Sequence, residues 1–447
     1  MALLEKYYVP GLCVEDHSIP VPLDWTGKVP GEGFDGATIS LFYRVVCAPE
    51  HVHDDLPLLI FLQGGPGAGS PRPLNPDSDG WIREAIRHFR IILPDQRGTG
   101  RSSRVDSHSM ASIGSARGQA DFLKRFLADS IVRDFEHLRR TEFHGEKWTS
   151  LGQSYGGFLT LSYLSLFPQA LAACFVTGGI ADVSSAAENV YRHTFPRMAE
   201  KTRRYYGRYP QDEARAAAVA DRLAGGRTLL ANGDVLSVER FQSLGSGFGM
   251  KPSCERVHWI LDDAFVDGDG SIDGESALSD VFLTEVMEAT SSNPLYWPLQ
   301  EFIYANGELE RPIGWAAQRV RDDHPEFNAG ARPLLFTGEA IFPWMFQQER
   351  ALRPFAAAVD VLMQDTSFGR IYDERQLERN DVPLQAAVYF DDMYVDSGLQ
   401  LRTLGHVGRS HYWVTNEFEH DGVHGATVFA HLYREALERG DLSAVLK

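Results

Sequence analysis

The chain has 447 residues, room for one large core with a substantial insertion or for two domains. With 43% hydrophobic and 23% charged residues its composition is globular, neither disordered nor fibrous. Its 43 Lys and Arg against 61 Asp and Glu give a formal charge of -18, which repels nucleic acid and anionic membrane surfaces at long range, so neither is an expected partner.

The opening MALLEKYYVPGLCVEDHS lacks a basic stretch and reaches acidic, Pro and Gly residues before a signal-length apolar run develops. No later run approaches the roughly 18 consecutive apolar residues that span a bilayer, and a cytoplasmic location is expected. Cys13, Cys47, Cys174 and Cys254 are scattered without metal-type or redox-type spacing and read as reduced small hydrophobes, so no metal site is expected.

Strand character begins with EDHSIPVPLDW (15–25) and the alternating ATISLFYRVV (37–46), then the continuous apolar LPLLIFLQ (56–63) and FRIILPD (89–95). Continuous apolar strands suit a parallel sheet covered on both faces. Residues 117–142, RGQADFLKRFLADSIVRDFEHLRRTE, predict one long amphipathic helix. A strand ending at Gly152 and another at LAACFVTGG (171–179) follow.

Beyond residue 182 the character turns helical and charge-rich, as in RMAEKTRRYYGRY (197–209) and DEARAAAVADRLA (212–224). DDAFVDGDGSIDGES (262–276) has the Asp alternation of a calcium loop but no Glu at the twelfth position, and reads as a solvated loop. Strands return with VPLQAAVYFDD (382–392) and SHYWVTNEFEH (410–420), followed by the helical GATVFAHLYREALERG (425–440). These elements predict an α/β fold: a mostly parallel, doubly wound sheet, with a large helical cap inserted after the sixth strand. The core is expected from 1–182 and 381–447, and the cap from 183–380.

The stretch TSLGQSYGGFLTL (149–161) contains G-x-S-x-G at Gly152–Gly156, between a strand and a helix. A serine on such an elbow occupies a strained backbone position, and any side chain two residues to either side would collide across the turn. Ser154 is therefore the candidate nucleophile. A serine needs a base, and the base an orienting carboxylate. In an α/β-hydrolase these follow in the order Ser, acid, His, on loops after late strands.

Asp391 and Asp392 end a predicted strand, and Asp392 is chosen because a residue aligned with the strand end points into the crevice. His420 lies just past the next strand. Its rivals are His411, expected to be packed within that strand, His406 before it, and His424, which could open the final helix.

FLQGGPGAGS (61–70) lets Gly64 and Gly65 turn backbone N–H groups toward Ser154, and with the N–H of Tyr155 they are the candidate oxyanion hole, each donor worth about 3 kcal/mol in the transition state. A phosphate loop is disfavoured because no G-K-[ST] follows. In LPDQRGTGRS (93–102), Asp95 and Arg97 are expected to brace the loop.

GGPGAGS (64–70), DQRGTGRS (95–102), GQSYGG (152–157), YFDDMYV (389–395) and NEFEHDG (416–422) together resemble the proline iminopeptidase family of α/β-hydrolase serine peptidases. The family often carries His before GGPG, where this chain has Gln63.

The resemblance implies a cofactor-free exopeptidase. Ser154 would be its nucleophile, His420 its base and Asp392 the orienter of that base, acting on peptides with a free N-terminal proline. It further implies cap carboxylates that grip the substrate's α-amine. NPLYWPLQEFIYANGE and LLFTGEAIFPWMF each set a Glu among aromatics, so Glu301 and Glu339 are the candidates, with Tyr304, Phe342 and Trp344 as candidate walls for the pyrrolidine ring. The competing readings are an aminopeptidase of other preference or an esterase on the same fold, and, from another class, a non-catalytic binding scaffold.

Overall fold

A computed structural model describes residues 2–267, 277–291 and 293–446, so most of the Asp-rich stretch 262–276 lies outside the described residues. A nine-stranded sheet forms the centre, in the order β1 (Ala2–Val9), β2 (Leu12–Pro22), β3 (Thr38–Cys47), β5 (Arg90–Pro94), β4 (Leu58–Leu62), β6 (Trp148–Gln153), β7 (Leu171–Thr177), β10 (Leu384–Tyr389), β11 (Ser410–Thr415). The pairs from β1 to β3 and between β3 and β5 are antiparallel, and from β5 to β11 every pair is parallel. A separate hairpin joins β8 (Thr228–Leu229) to β9 (Val235–Leu236).

The continuous apolar strands are buried along their whole length because helices cover both faces. In β4, Leu58, Ile60 and Leu62 pack with the helices Ala128–Glu142 and Tyr155–Leu166, whereas Leu59 and Phe61 pack with Val428–Glu438 on the opposite face. Between β7 and β10 the chain adds no strand to this sheet. Its helices, led by Ala187–Arg208 and Pro210–Ala224, build a further apolar core, which Met110, Leu123 and Phe126 from before β6 join.

Three details differ from the sequence expectation. First, β1 precedes the predicted strands, paired with β2 through a turn at Gly11 (φ 74°), so the insertion follows the seventh strand in chain order rather than the sixth. Second, the single helix expected over 117–142 is two, Ala116–Lys124 and Ala128–Glu142, with Leu127 extended between them. The buried Arg97 guanidinium donates to the Arg125 carbonyl at 2.8 Å and to both Asp134 oxygens at 2.7 and 2.5 Å; a continuous helix would leave that carbonyl to the helix ladder and the guanidinium short of an acceptor. Third, His411 is exposed rather than packed, because β11 is an edge strand with one open side.

The bracing expected of Asp95 is visible as bonds. Its carboxylate accepts from the backbone N–H of Ser70 (2.9 Å) and of Arg101 (2.8 Å) and from the Arg72 guanidinium (2.9 and 2.6 Å), tying the glycine loop after β4 to the turn after β5.

Candidate active site

Ser154 stands between β6 and the helix Tyr155–Leu166 with φ 56° and ψ -123°, a left-handed region costly to a non-glycine residue. The surrounding glycines make that turn possible. A Cβ on Gly156 would lie 1.8 Å from the Leu62 carbonyl oxygen, one on Gly152 2.4 Å from the Gly156 oxygen, and one on Gly179 2.2 Å from the Ser154 oxygen. The helix therefore starts hard against β4 and β7, lifting the Ser154 hydroxyl above the carboxyl ends of the strands.

His420 reaches Ser154 from the loop after β11. Its Nε2 is 2.8 Å from Ser154 Oγ and its Nδ1 is 2.7 Å from Asp392 Oδ2. The other Asp392 oxygen accepts from the backbone N–H of Tyr394 (2.8 Å) and Val395 (3.1 Å), which fixes the carboxylate in the turn after β10. Asp391 points elsewhere, to Arg197 and Arg204. Burial of the His420 ring favours its neutral form, but the charge and hydrogen bond of Asp392, helped by the charge of Glu339, outweigh it and hold the imidazole above its usual 6.5. His406 is exposed, and His424 ends a short turn, its Nδ1 3.0 Å from Asp79.

The glycine loop approaches from β4. A Cβ on Gly64 would lie 3.1 Å from Ser154 Cβ, and Gly65 takes φ 121°. Tyr155 opens the helix, where backbone N–H groups lack intrahelical acceptors, while its side chain is buried below.

Ser154, His420, Gly65 and Glu339 share one cavity of about 820 Å³, walled on its apolar side by residues such as Tyr296, Trp297, Leu244 and Ile260. Burial pushes the Glu339 carboxyl up to about 7; the His420 charge pulls it down and the Asp392 charge pushes it further up. Among the described residues Glu339 has no hydrogen bond or ion pair.

Other candidates sit apart. Glu301 does not line the cavity: it is fully buried and accepts from the backbone N–H groups of Ala316 (3.1 Å) and Ala317 (2.8 Å), at the start of the helix Ala316–Asp322. Burial raises its carboxyl to about 7 although those two bonds pull the other way. Tyr304 packs between Phe158 and Tyr191, and Phe342 stacks on Trp344 under the Arg321 guanidinium; Phe342 is buried, Tyr304 and Trp344 are half-buried against the same core, and none of the three lines this cavity.

Several residues that position the site carry no local sequence signal. The Gly249 carbonyl accepts the His420 backbone N–H at 2.9 Å. Tyr394 packs edge-on to the His420 ring at 4.8 Å and donates its hydroxyl to the Ser246 carbonyl. Gly67 and Gly338 admit close contact with the Leu295–Tyr296 peptide and with Met393, seating two cap segments on the catalytic loops. All these contacts join residues far apart in the chain, which is why motif spacing could not find them; only the glycines, read as close-approach positions, hinted at them.

The fold and the hydrogen-bonded Ser–His–Asp series place the chain in the α/β-hydrolase class, and the family described as alpha/beta hydrolase fold matches residues 57–220. The chain is 41% identical to proline iminopeptidase from Aeromonas sobria over 93% of its own length and 94% of that protein. It is 33% identical to proline iminopeptidase aneH from Aspergillus aculeatus, over 93% of this chain and 91% of that one. The chain belongs to the proline iminopeptidase family. The solved structure of proline iminopeptidase from Mycobacterium smegmatis is 14% identical, with 96% of this chain and 100% of that one covered at a TM-score of 0.43; the assignment rests on the first two relatives.

Proposed function

We propose that the chain is a serine exopeptidase that releases N-terminal proline from peptides. The observation that carries this reading beyond a general hydrolase is Glu339, a carboxyl facing the cavity beside His420 that has no hydrogen bond or ion pair among the described residues. An uncompensated buried carboxyl favours a ligand that brings a positive charge, and the α-ammonium of an unblocked N-terminus does so next to the scissile carbonyl. A peptide blocked at that nitrogen would leave the carboxylate desolvated and unpaired.

In this reaction His420 Nε2 takes the Ser154 proton as Oγ attacks the prolyl carbonyl, while Asp392 holds the ring in the tautomer with Nδ1–H and stabilises the imidazolium. The developing oxyanion takes backbone N–H bonds from Tyr155 and the Gly64–Gly65 loop. His420 then protonates the departing peptide amine, and water, deprotonated by the same ring, releases proline from the acyl-enzyme. Tyr296, whose backbone abuts Gly67 of the glycine loop, and its neighbour Trp297 line the cavity and suit the pyrrolidine ring. In this reading the core comprises 1–182 and 381–447 and the cap 183–380, and the enzyme works in the cytoplasm.

Rates on prolyl, alanyl and leucyl anilides and on N-acetylprolyl anilide test the proposal. Preference for the free prolyl substrate is expected. Equal rates on the acetylated compound would instead indicate an esterase or amidase indifferent to the amine.

A further inference from the structure

The cavity is much larger than a prolyl residue requires, and its outer part carries charges that acyl transfer at Ser154 does not use. One outer wall is the segment Lys251–Pro252 and the first turns of the helix Ser253–Asp262, which bring Lys251 and Arg256 to the lining. Among the described residues Arg256 makes no hydrogen bond or ion pair, and its neighbour Glu255 is already held by Arg208 at 2.5 Å. Lys251 donates to the Glu417 carbonyl, which fixes the ammonium without neutralising it.

The adjoining helix, Asp280–Thr290, contributes Glu285 and Glu288. One Glu285 oxygen is shut off from solvent and lacks a partner, and the groups acting on this carboxyl besides burial are two further acids, Asp263 and Glu288. The helix that carries these acids packs directly against Ser253–Asp262, so the cationic and anionic groups line adjoining parts of the cavity.

We propose that the outer end of the cavity is a subsite for the C-terminal carboxylate of a short peptide, held by Arg256 with Lys251 and repelled by Glu285 on the adjoining helix. The inference rests on the peptidase reading above and extends it. Glu339 takes the ammonium at the inner end, Arg256 takes the carboxylate at the outer end, and the spacing between them selects short peptides with both termini free. An exposed arginine–carboxylate contact contributes modestly, so discrimination of about three- to tenfold is expected.

The test compares kcat/KM for Pro-Gly, Pro-Gly-Gly and Pro-Gly-Gly-Gly as free acids and as C-terminal amides, in the wild type and in Arg256→Gln and Arg256→Lys. The expected result is an acid-over-amide preference at one length, lost in Arg256→Gln and partly retained in Arg256→Lys. Acids and amides cleaved equally at every length by the wild type would overturn the subsite, as would a preference that survives in Arg256→Gln. Prolyl anilide, which has no carboxylate, reports separately on the wild-type Ser154 chemistry, so an enzyme active on it but blind to the carboxylate fails this inference alone.

Discussion

Lys201 Nζ lies 2.6 Å from both carboxylate oxygens of Glu419, the residue immediately before His420. Lys201 belongs to the long cap helix Ala187–Arg208 and is nearly buried, so the pair fastens the cap to the loop that carries the general base.

Removing one partner of such a pair strands the other. Lys201→Met should destabilise the fold by about 3 kcal/mol and lower kcat/KM by about tenfold through loosening of the His420 loop. The double variant Lys201→Met, Glu419→Leu should recover most of the stability. Denaturant midpoints and kinetics on prolyl anilide check both.

Glu339 bears on binding and on the base at once. Its charge helps hold His420 above 6.5, and the ring must be neutral to take the Ser154 proton, so kcat/KM falls as pH drops through the raised imidazole value. Glu339→Gln removes that charge, and the acid limb should move to lower pH while KM for prolyl anilide rises by about tenfold or more. A pH–rate profile that stays in place would show that Glu339 does not act on the base.

Glu349 gives a pH-dependent stability away from the chemistry. Burial raises its carboxyl to about 7, against the Arg240 charge that pulls it down. A carboxyl raised from 4.5 to about 7 keeps a proton in the native state that the unfolded chain has released, so its contribution is full below about 4.5 and is lost as pH rises through about 7. Glu349→Gln should therefore gain stability relative to wild type between about pH 5 and about pH 8, by on the order of 3 kcal/mol at the upper end. Urea unfolding of both proteins at the two pH values measures the difference.

The elbow tolerates no side chain beside it. With a Cβ 1.8 Å from the Leu62 oxygen, Gly156→Ala must push the helix from β4, costing about 3 kcal/mol or more and displacing Ser154. Thermal unfolding and reaction with a fluorophosphonate probe should both register the loss.

The parts of this molecule that were legible in sequence are those set by local pattern. The buried strands announce themselves as apolar runs, and the elbow by its glycines between strand and helix. Asp392 is marked by its place after a late strand, but β10 stops at Tyr389 and a turn, not strand alternation, aims its carboxylate at His420. What was illegible depends on distant partners. The break at Arg125 comes from an arginine on another loop, β1 is an edge strand with exposed Leu3 and Leu4 and no long apolar run to mark it, and Phe342 and Trp344 look like pocket aromatics until their own neighbours are seen. Glu301 and Glu339 share the same aromatic surroundings in sequence, but only the second faces the cavity.

The central claim is that Ser154 cleaves the bond after an unblocked N-terminal proline. Its most direct test is kcat/KM on prolyl anilide for wild type and for Ser154→Ala, with the fold of the variant confirmed by its melting temperature. A loss of at least about four orders of magnitude is predicted, as for other hydroxyl nucleophiles whose base is left without a partner. A folded Ser154→Ala enzyme within about tenfold of wild type would contradict the account.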